Sequence, residues 1–172
     1  IIRSTRIPAG AKDIGSSLYI INEDQIKARG FKYAIDAISS APGVTSKQNG
    51  SFGGVGTIRI RGASSSQTLV LVDGVPVNDA SSPGGGYNFE YLNTSNIQSI
   101  EVLKGSQSTL WGSDAIGGVV NIYTKESEST SFGASAEIGS FGLKRGSTDI
   151  NFAGSNSRLR ISTSKTSIDG IS

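Results

Sequence analysis

Apolar and polar positions change their pattern three times along this chain. Leu18–Ile21 (LYII) is a short continuous apolar run, the pattern of a buried strand. Asn22-Glu-Asp-Gln25 has the form of a helix start, with Asn22 as N-cap, Gln25 three residues on and two acids in the first turn. Ile26 is the apolar residue of that turn, and Gly30 ends it. A second helix is predicted over Tyr33–Ser40, with Phe31, Ile35 and Ile38 on one face and Pro42-Gly43 as its stop.

From Val44 the period falls to two. Thr57–Arg61 alternates, and Thr68–Val72 is a continuous apolar strand. Asp73-Gly74 then signals a hairpin turn into Val75-Pro-Val77, where Pro76 restricts the return strand to an edge or a bulge. Ile97–Leu103 and Val119–Thr124 are two further β-branched runs. Between them lie a Lys104-Gly105 turn, a Ser-rich helical turn ending at Trp111, and the glycines Gly112, Gly117 and Gly118. Gln48–Gly56 and Asn78–Tyr91 are long Gly/Ser-rich loops. Loops of that length inside a compact domain are either functional or plain flexible connections.

After Thr124 the pattern changes again. Phe132–Ile138, Leu143–Phe152 and Arg158–Ser164 are strand-length stretches with weak dyad patterning, joined by turns at Gly139–Gly142 and Gly154–Ser157. Transmembrane barrel strands read this way, at about 10 residues each, and so does a soluble antiparallel meander. Three strands do not close a barrel. Together with a start at Ile1 and an end at Asp169-Gly-Ile-Ser172, this makes the sequence read as a piece of a longer protein.

Composition narrows the chemistry. The 172 residues carry a formal charge of +2 with Lys and Arg scattered singly, which gives no footprint for nucleic acid. Cysteine and histidine are both absent, so a thiolate metal site, a Cys nucleophile and a Ser-His-Asp triad are excluded. Gly 23 is nearly twice the usual share of ~7%, which predicts many turns and a modest core. Gln48–Gly56 feeds a strand rather than a helix N-terminus, and no Gly-Lys-Ser/Thr is present, so phosphate-loop chemistry is not expected. Asp73, Asp79, Glu90, Glu101 and Asp114 suit turns and loops better than a paired acid and base. No catalytic residue, cofactor or metal site is assigned.

Four blocks in order carry a resemblance. They are Ala41-Pro-Gly-Val44, Ile58-Arg-Ile-Arg-Gly62, Leu69-Val-Leu-Val-Asp-Gly-Val75 and the run Ile97–Thr124. Together they resemble the plug domain of TonB-dependent outer-membrane transporters. Within that family, Gln48-Asn-Gly50 and Gly112–Ile122 are most similar to the vitamin B12 (cobalamin) transporters, while siderophore transporters share the same blocks. The resemblance implies an α+β plug, a small mixed β-sheet with short helices, at 1–125. Antiparallel strands of a truncated transmembrane β-barrel follow at 126–172. The complete barrel would have about 22 strands.

Function and sites follow as implications of the resemblance. The expected role is TonB-energised uptake of cobalamin or a siderophore across the bacterial outer membrane, with no enzymatic activity. The alternative is an envelope binding or signalling protein that uses a plug-like module without transport. Ligand contacts map to Ser51, Phe52, Val55, Gly56 and Thr57 in the first loop, and to Asn78, Ser82, Pro83, Gly84 and Tyr87 in the second. Ile1, Ile2, Arg3, Ser4 and Thr5 resemble the end of the segment grasped by the TonB-type inner-membrane energy transducer, a grip made by adding a strand to the partner's sheet. Arg59, Arg61, Glu101 and Lys104 are the candidate plug–barrel contacts; the alternative is that they pair among themselves. Lys104 stands where the family commonly has arginine, and a lysine does not make the bidentate fork. Asp169 falls where some cobalamin transporters begin a calcium loop, but one carboxylate is not a site.

Overall fold

The computed structural model describes residues 17–50, 54–79, 81, 85–126 and 129–169. The chain divides into two compact units, Ile1–Thr124 and Lys125–Ser172.

In the first unit, strand β1 (Ser17–Asn22) runs directly into helix α1 (Glu23–Ala28). The Asn22 side chain accepts from the Gln25 N–H at 2.9 Å, and the Gln25 side chain accepts from the Asn22 N–H at 3.1 Å, a complete capping box. Gly30, at φ 67°, closes the helix, with its N–H on Lys27 O and the Phe31 N–H on Ile26 O, each at 3.1 Å. That pair of bonds is a Schellman motif. Helix α2 (Ala34–Ser39) buries Ala34, Ile35, Ala37 and Ile38. Strand β2 (Val44–Gln48) pairs antiparallel with β3 (Gly56–Ile60), so the first long loop is the tip of a hairpin and its end residues belong to the strands.

Strand β4 (Thr68–Val72) turns through Asp73-Gly74 into β5 (Val75–Pro76). Both turn residues have positive φ, 50° and 84°, the two-residue type I′ geometry that suits the twist of a hairpin. Strands β6 (Ile97–Lys104) and β7 (Gly118–Thr124) flank the helical turn α3 (Ser108–Trp111). The five-stranded sheet has the order β1-β6-β7-β4-β5, with β4 parallel to β7 and the other pairs antiparallel. Pro76 therefore sits on an edge strand, where its missing N–H breaks no ladder.

Both faces of the central strands β4, β6 and β7 are buried, which is why they read as continuous apolar runs. Ile21, Val70, Ile100, Val102, Val120 and Ile122 pack with α1, α2, the β2–β3 hairpin and Phe89 on one face. Leu69, Leu71, Leu103 and Val119 pack with Ala115, Leu18 and Trp111 on the other. Removing an isoleucine such as Ile100, fully buried, from water contributes roughly 1.5–3 kcal/mol.

The second unit is an antiparallel meander of β8 (Ser131–Ile138), β9 (Lys144–Ala153) and β10 (Arg158–Ser167) in the order β10-β9-β8. Its strands start within a residue of the predicted ones, and β10 runs three residues further. Among the described residues the sheet is open, since β8 and β10 each pair with β9 alone. Register places Ser135, Ser147 and Ser164 in one row and Glu137, Arg145 and Thr166 in another row of the same face. Phe132, Ile150 and Ile161 share a row of the opposite face. No helix among the described residues is long and apolar enough to cross a membrane, which says nothing of strands.

Candidate functional site

The two long loops meet at Gly56, the first residue of β3. Its N–H donates to Asn88 Oδ1 at 3.0 Å, and its carbonyl accepts from the Phe89 N–H at 2.8 Å. Asn88 Oδ1 also accepts from the Glu90 N–H at 3.1 Å, so one side-chain oxygen holds both loops. A Cβ on residue 56 would lie 2.9 Å from Ile35 Cδ1, so the junction rests directly on α2. Below the tip, the Asn49 N–H bonds to Val55 O at 3.0 Å and extends the hairpin.

Asn78 fixes the start of the second loop. Its Oδ1 accepts from the Val70 N–H at 2.7 Å, and its Nδ2 donates to Thr68 O at 2.9 Å and Gly85 O at 3.4 Å. The side chain thus takes the place along β4 that a longer β5 would occupy. Tyr87 packs edge-to-face on the buried Phe89, with ring centroids 4.8 Å apart and planes at 83°. Burial pushes the Tyr87 phenol above its ordinary range, so its hydroxyl stays neutral. Tyr91, largely exposed, has its phenol raised by the neighbouring Glu90 carboxylate.

Of the ten residues expected to touch ligand, Ser51, Phe52, Ser82, Pro83 and Gly84 lie outside the described residues, as do Ile1–Thr5. Val55 is exposed, Thr57 half-buried, Gly56 buried in the loop junction and Tyr87 half-buried beside it. The Asn78 amide is committed to backbone partners and acts here as a loop anchor. Asn88 and Tyr91 were not singled out by sequence. Asn88 acts on a residue 32 positions away, and no local pattern marks such a bond. The junction can offer neutral hydroxyls, backbone groups, an aliphatic side chain and aromatic rings. Among the described residues no group of three acids is placed to hold a metal ion.

The other end of β3 carries the basic residues. Arg59 and Arg61 are exposed, and the Arg61 N–H donates to Gly43 O at 2.8 Å from a left-handed φ of 51°. Lys104 is buried, and its ammonium donates to Pro42 O at 3.1 Å, bracing the turn between α2 and β2. A Cβ on Gly105 would lie 3.5 Å from an Arg61 guanidinium nitrogen, so both cations gather at Pro42-Gly43. Glu101 lies on the face of β6 opposite Lys104, buried, cross-strand from Asn121 and 3.5 Å from the Tyr123 hydroxyl. The strand pleat therefore keeps Glu101 and Lys104 apart.

A small mixed sheet with two loops joined at one end of a hairpin, followed in the chain by an amphipathic meander, is the arrangement of a plug that precedes a barrel. Residues 11–119 match the family model described as TonB-dependent Receptor Plug Domain, and the chain belongs to that family. It is 35% identical over 130 residues to the vitamin B12 transporter BtuB of Vibrio vulnificus strain CMCP6, covering 76% of this chain and 21% of the relative. The same transporter of strain YJ016 is 34% identical over 124 residues, 72% of this chain and 20% of the relative. The chain thus spans about a fifth of the length of these relatives. The crystal structure of the ferric-catecholate import receptor Fiu from E. coli K12 is similar at TM-score 0.68 and 28% identity, over 96% of this chain and 23% of that one. The pyoverdine outer membrane receptor FpvA from Pseudomonas aeruginosa PAO1 shares the fold at TM-score 0.77 and 20% identity, over 95% of this chain and 24% of that one.

Proposed function

We propose that this chain is the gate and part of the ligand-binding face of a receptor that takes up a cobalamin-like nutrient across the bacterial outer membrane. The observation that carries the reading is the Gly56–Asn88–Phe89 junction, which joins two sequence-distant loops into one face. A large, mostly neutral ligand suits such a face of backbone groups, hydroxyls and aromatic rings. Val55, Thr57 and Tyr87 would contribute from the described part, and Ser51, Phe52, Ser82, Pro83 and Gly84 from the rest of the loops. The relatives named as vitamin B12 transporters support cobalamin as the cargo.

In this reading the plug comprises 1–125, the first barrel strands 126–172, and the remainder of the barrel belongs to the whole protein. Exposed Arg59 and Arg61 would meet acidic groups of the barrel wall, with Lys104 and Glu101 holding the elements behind them. Ligand on the joined loops would favour release of Ile1–Thr5 to a TonB-type transducer, and force on that segment would remodel part of the plug. A siderophore is the second reading, favoured by the likeness to the ferric-catecholate receptor.

Uptake of radiolabelled cobalamin by cells carrying the full-length gene, with a ferric siderophore in parallel, tests both. Cobalamin accumulation that stops when the transducer is deleted is the expected result. Accumulation of the siderophore alone would overturn the cargo, and accumulation of neither would overturn transport.

A further inference from the structure

The chain has one Asn-Gly step, Asn49-Gly50, and it stands where β2 ends and the hairpin loop begins. The Asn49 backbone N–H is held by Val55 O at 3.0 Å. Its side chain is exposed, and among the described residues its amide has no hydrogen bond. The Gly50 N–H likewise has no acceptor among them. Gly50 has a left-handed φ of 86°, and a Cβ on it would meet nothing within 4 Å. Backbone conformation rather than packing therefore calls for glycine at this position.

The other described asparagines differ. The side chains of Asn22, Asn78, Asn88, Asn93, Asn121 and Asn151 are all hydrogen-bonded. Asn96 precedes Ile97, a buried β-branched residue whose N–H is committed to Thr94 O at 3.0 Å. Asn156 precedes Ser157, whose side chain crowds an attack from its own backbone nitrogen. Asparagine is a thermolabile residue, and the weak point is its side-chain carbonyl. The backbone nitrogen of the next residue reaches that carbon by closing a five-membered ring, and an intramolecular attack has a high effective concentration. A following glycine offers the least obstruction, and at Asn49-Gly50 both reacting groups are free.

We propose that Asn49 is a site of spontaneous deamidation that ages the ligand-binding face. Water takes the proton from the Gly50 nitrogen, which attacks Asn49 Cγ. The N–Cγ bond forms, the Cγ–Nδ2 bond breaks, and ammonia leaves with that proton. Water then opens the cyclic imide. Cleavage of its N–Cγ bond gives aspartate in the ordinary chain. Cleavage of its bond between the nitrogen and the Asn49 main-chain carbonyl carbon gives isoaspartate, with the chain rerouted through Cβ and Cγ. Either product places a carboxylate on a hairpin that offered a neutral amide. Isoaspartate also adds one backbone atom, about 1.5 Å of chain. Both changes fall beside Val55 and Gly56, across the hairpin from Asn49. The effect on ligand rests on the function proposed above; the chemistry does not.

Full-length receptor, purified in mild detergent, is aged at mildly alkaline pH. Samples are taken for peptide mapping by mass, for isoaspartate-specific enzymatic methylation and for binding of radiolabelled cobalamin. Conversion is expected at Asn49 ahead of Asn96 and Asn156, with cobalamin bound about tenfold more weakly by the converted fraction. Asn49→Gln, in which the same attack needs a larger ring, should keep through ageing whatever affinity it has when fresh. No conversion at Asn49, or conversion no faster than at Asn156, would overturn the site. Conversion with undiminished binding would overturn its effect on the ligand face, as would an equal loss on ageing in Asn49→Gln. Fresh receptor that binds no cobalamin sinks the cargo reading alone, because peptide mass still reads the conversion.

Discussion

The two units solve the burial of apolar side chains in opposite ways. In the first, isoleucine, leucine and valine fill both faces of a mixed sheet, with Ile60, Leu71, Ile100 and Val102 fully removed from solvent. In the second, among the described residues, only Asn151 is buried, while Phe132, Ile138, Ile150, Phe152, Leu159 and Ile161 are exposed. Phe132, Ile150, Ile161, Phe152 and Leu159 share one face of the meander. The difference lies in composition as well as in arrangement, since residues 125–172 contain no valine. Continuous apolar runs make a sheet that carries its own core, and alternation leaves the apolar side of a sheet to its surroundings.

Core truncation should separate the units most sharply. Ile100→Ala is expected to cost about 2–5 kcal/mol in denaturant unfolding of the first unit within the full-length receptor, whereas Ile150→Ala is expected to leave that transition unmoved. A loss of equal size at both positions would erase the contrast. Charge should reverse it: Ile150→Lys is expected to cost about 2–4 kcal/mol for the receptor folded in a bilayer, and much less in aqueous detergent, where the chain can reach water. Folding titrations into lipid vesicles measure that difference.

Smaller effects should stay local to the first unit. Asn88→Ala leaves the Gly56 N–H without its partner and is expected to cost about 1–3 kcal/mol, seen as faster amide exchange at Gly56 and Glu90 and as weaker ligand binding. Asn22→Ala removes one half of the α1 capping box and should cost about 1 kcal/mol with ligand binding untouched. Ligand binding that falls equally in both variants would place the loops under general stability rather than under their own junction.

Those features also mark where the sequence was legible. The Asn22–Gln25 box, the Gly30 stop and the Asp73-Gly74 turn are set by residues within a few positions of one another, so their chemistry can be read directly. Pro76 on an edge and the dyad strands of the second unit follow from hydrogen-bond supply and from pleat. The parallel pairing of β4 with β7 does not, because both strands are apolar on each face and the pattern chooses no neighbour. The candidate site was legible as two glycine-rich loops and as family blocks, but not as a junction. Its key bond joins Gly56 to an asparagine that looked like any other loop residue. Asp73 shows the same limit. Its turn role was readable, whereas its carboxylate bonds to the Thr124 N–H at 2.9 Å and the Thr124 hydroxyl at 2.7 Å are contacts across 51 positions.

Asn78 has a consequence for how such a plug domain can vary. Because one amide finishes the border of β4, residues beyond it are under no obligation to continue a ladder. Their chemistry can vary as far as Asn88 and Phe89, whose bonds to Gly56 tie the loop back to the frame. A scaffold terminated in this way can change its loop over evolutionary time without being refolded.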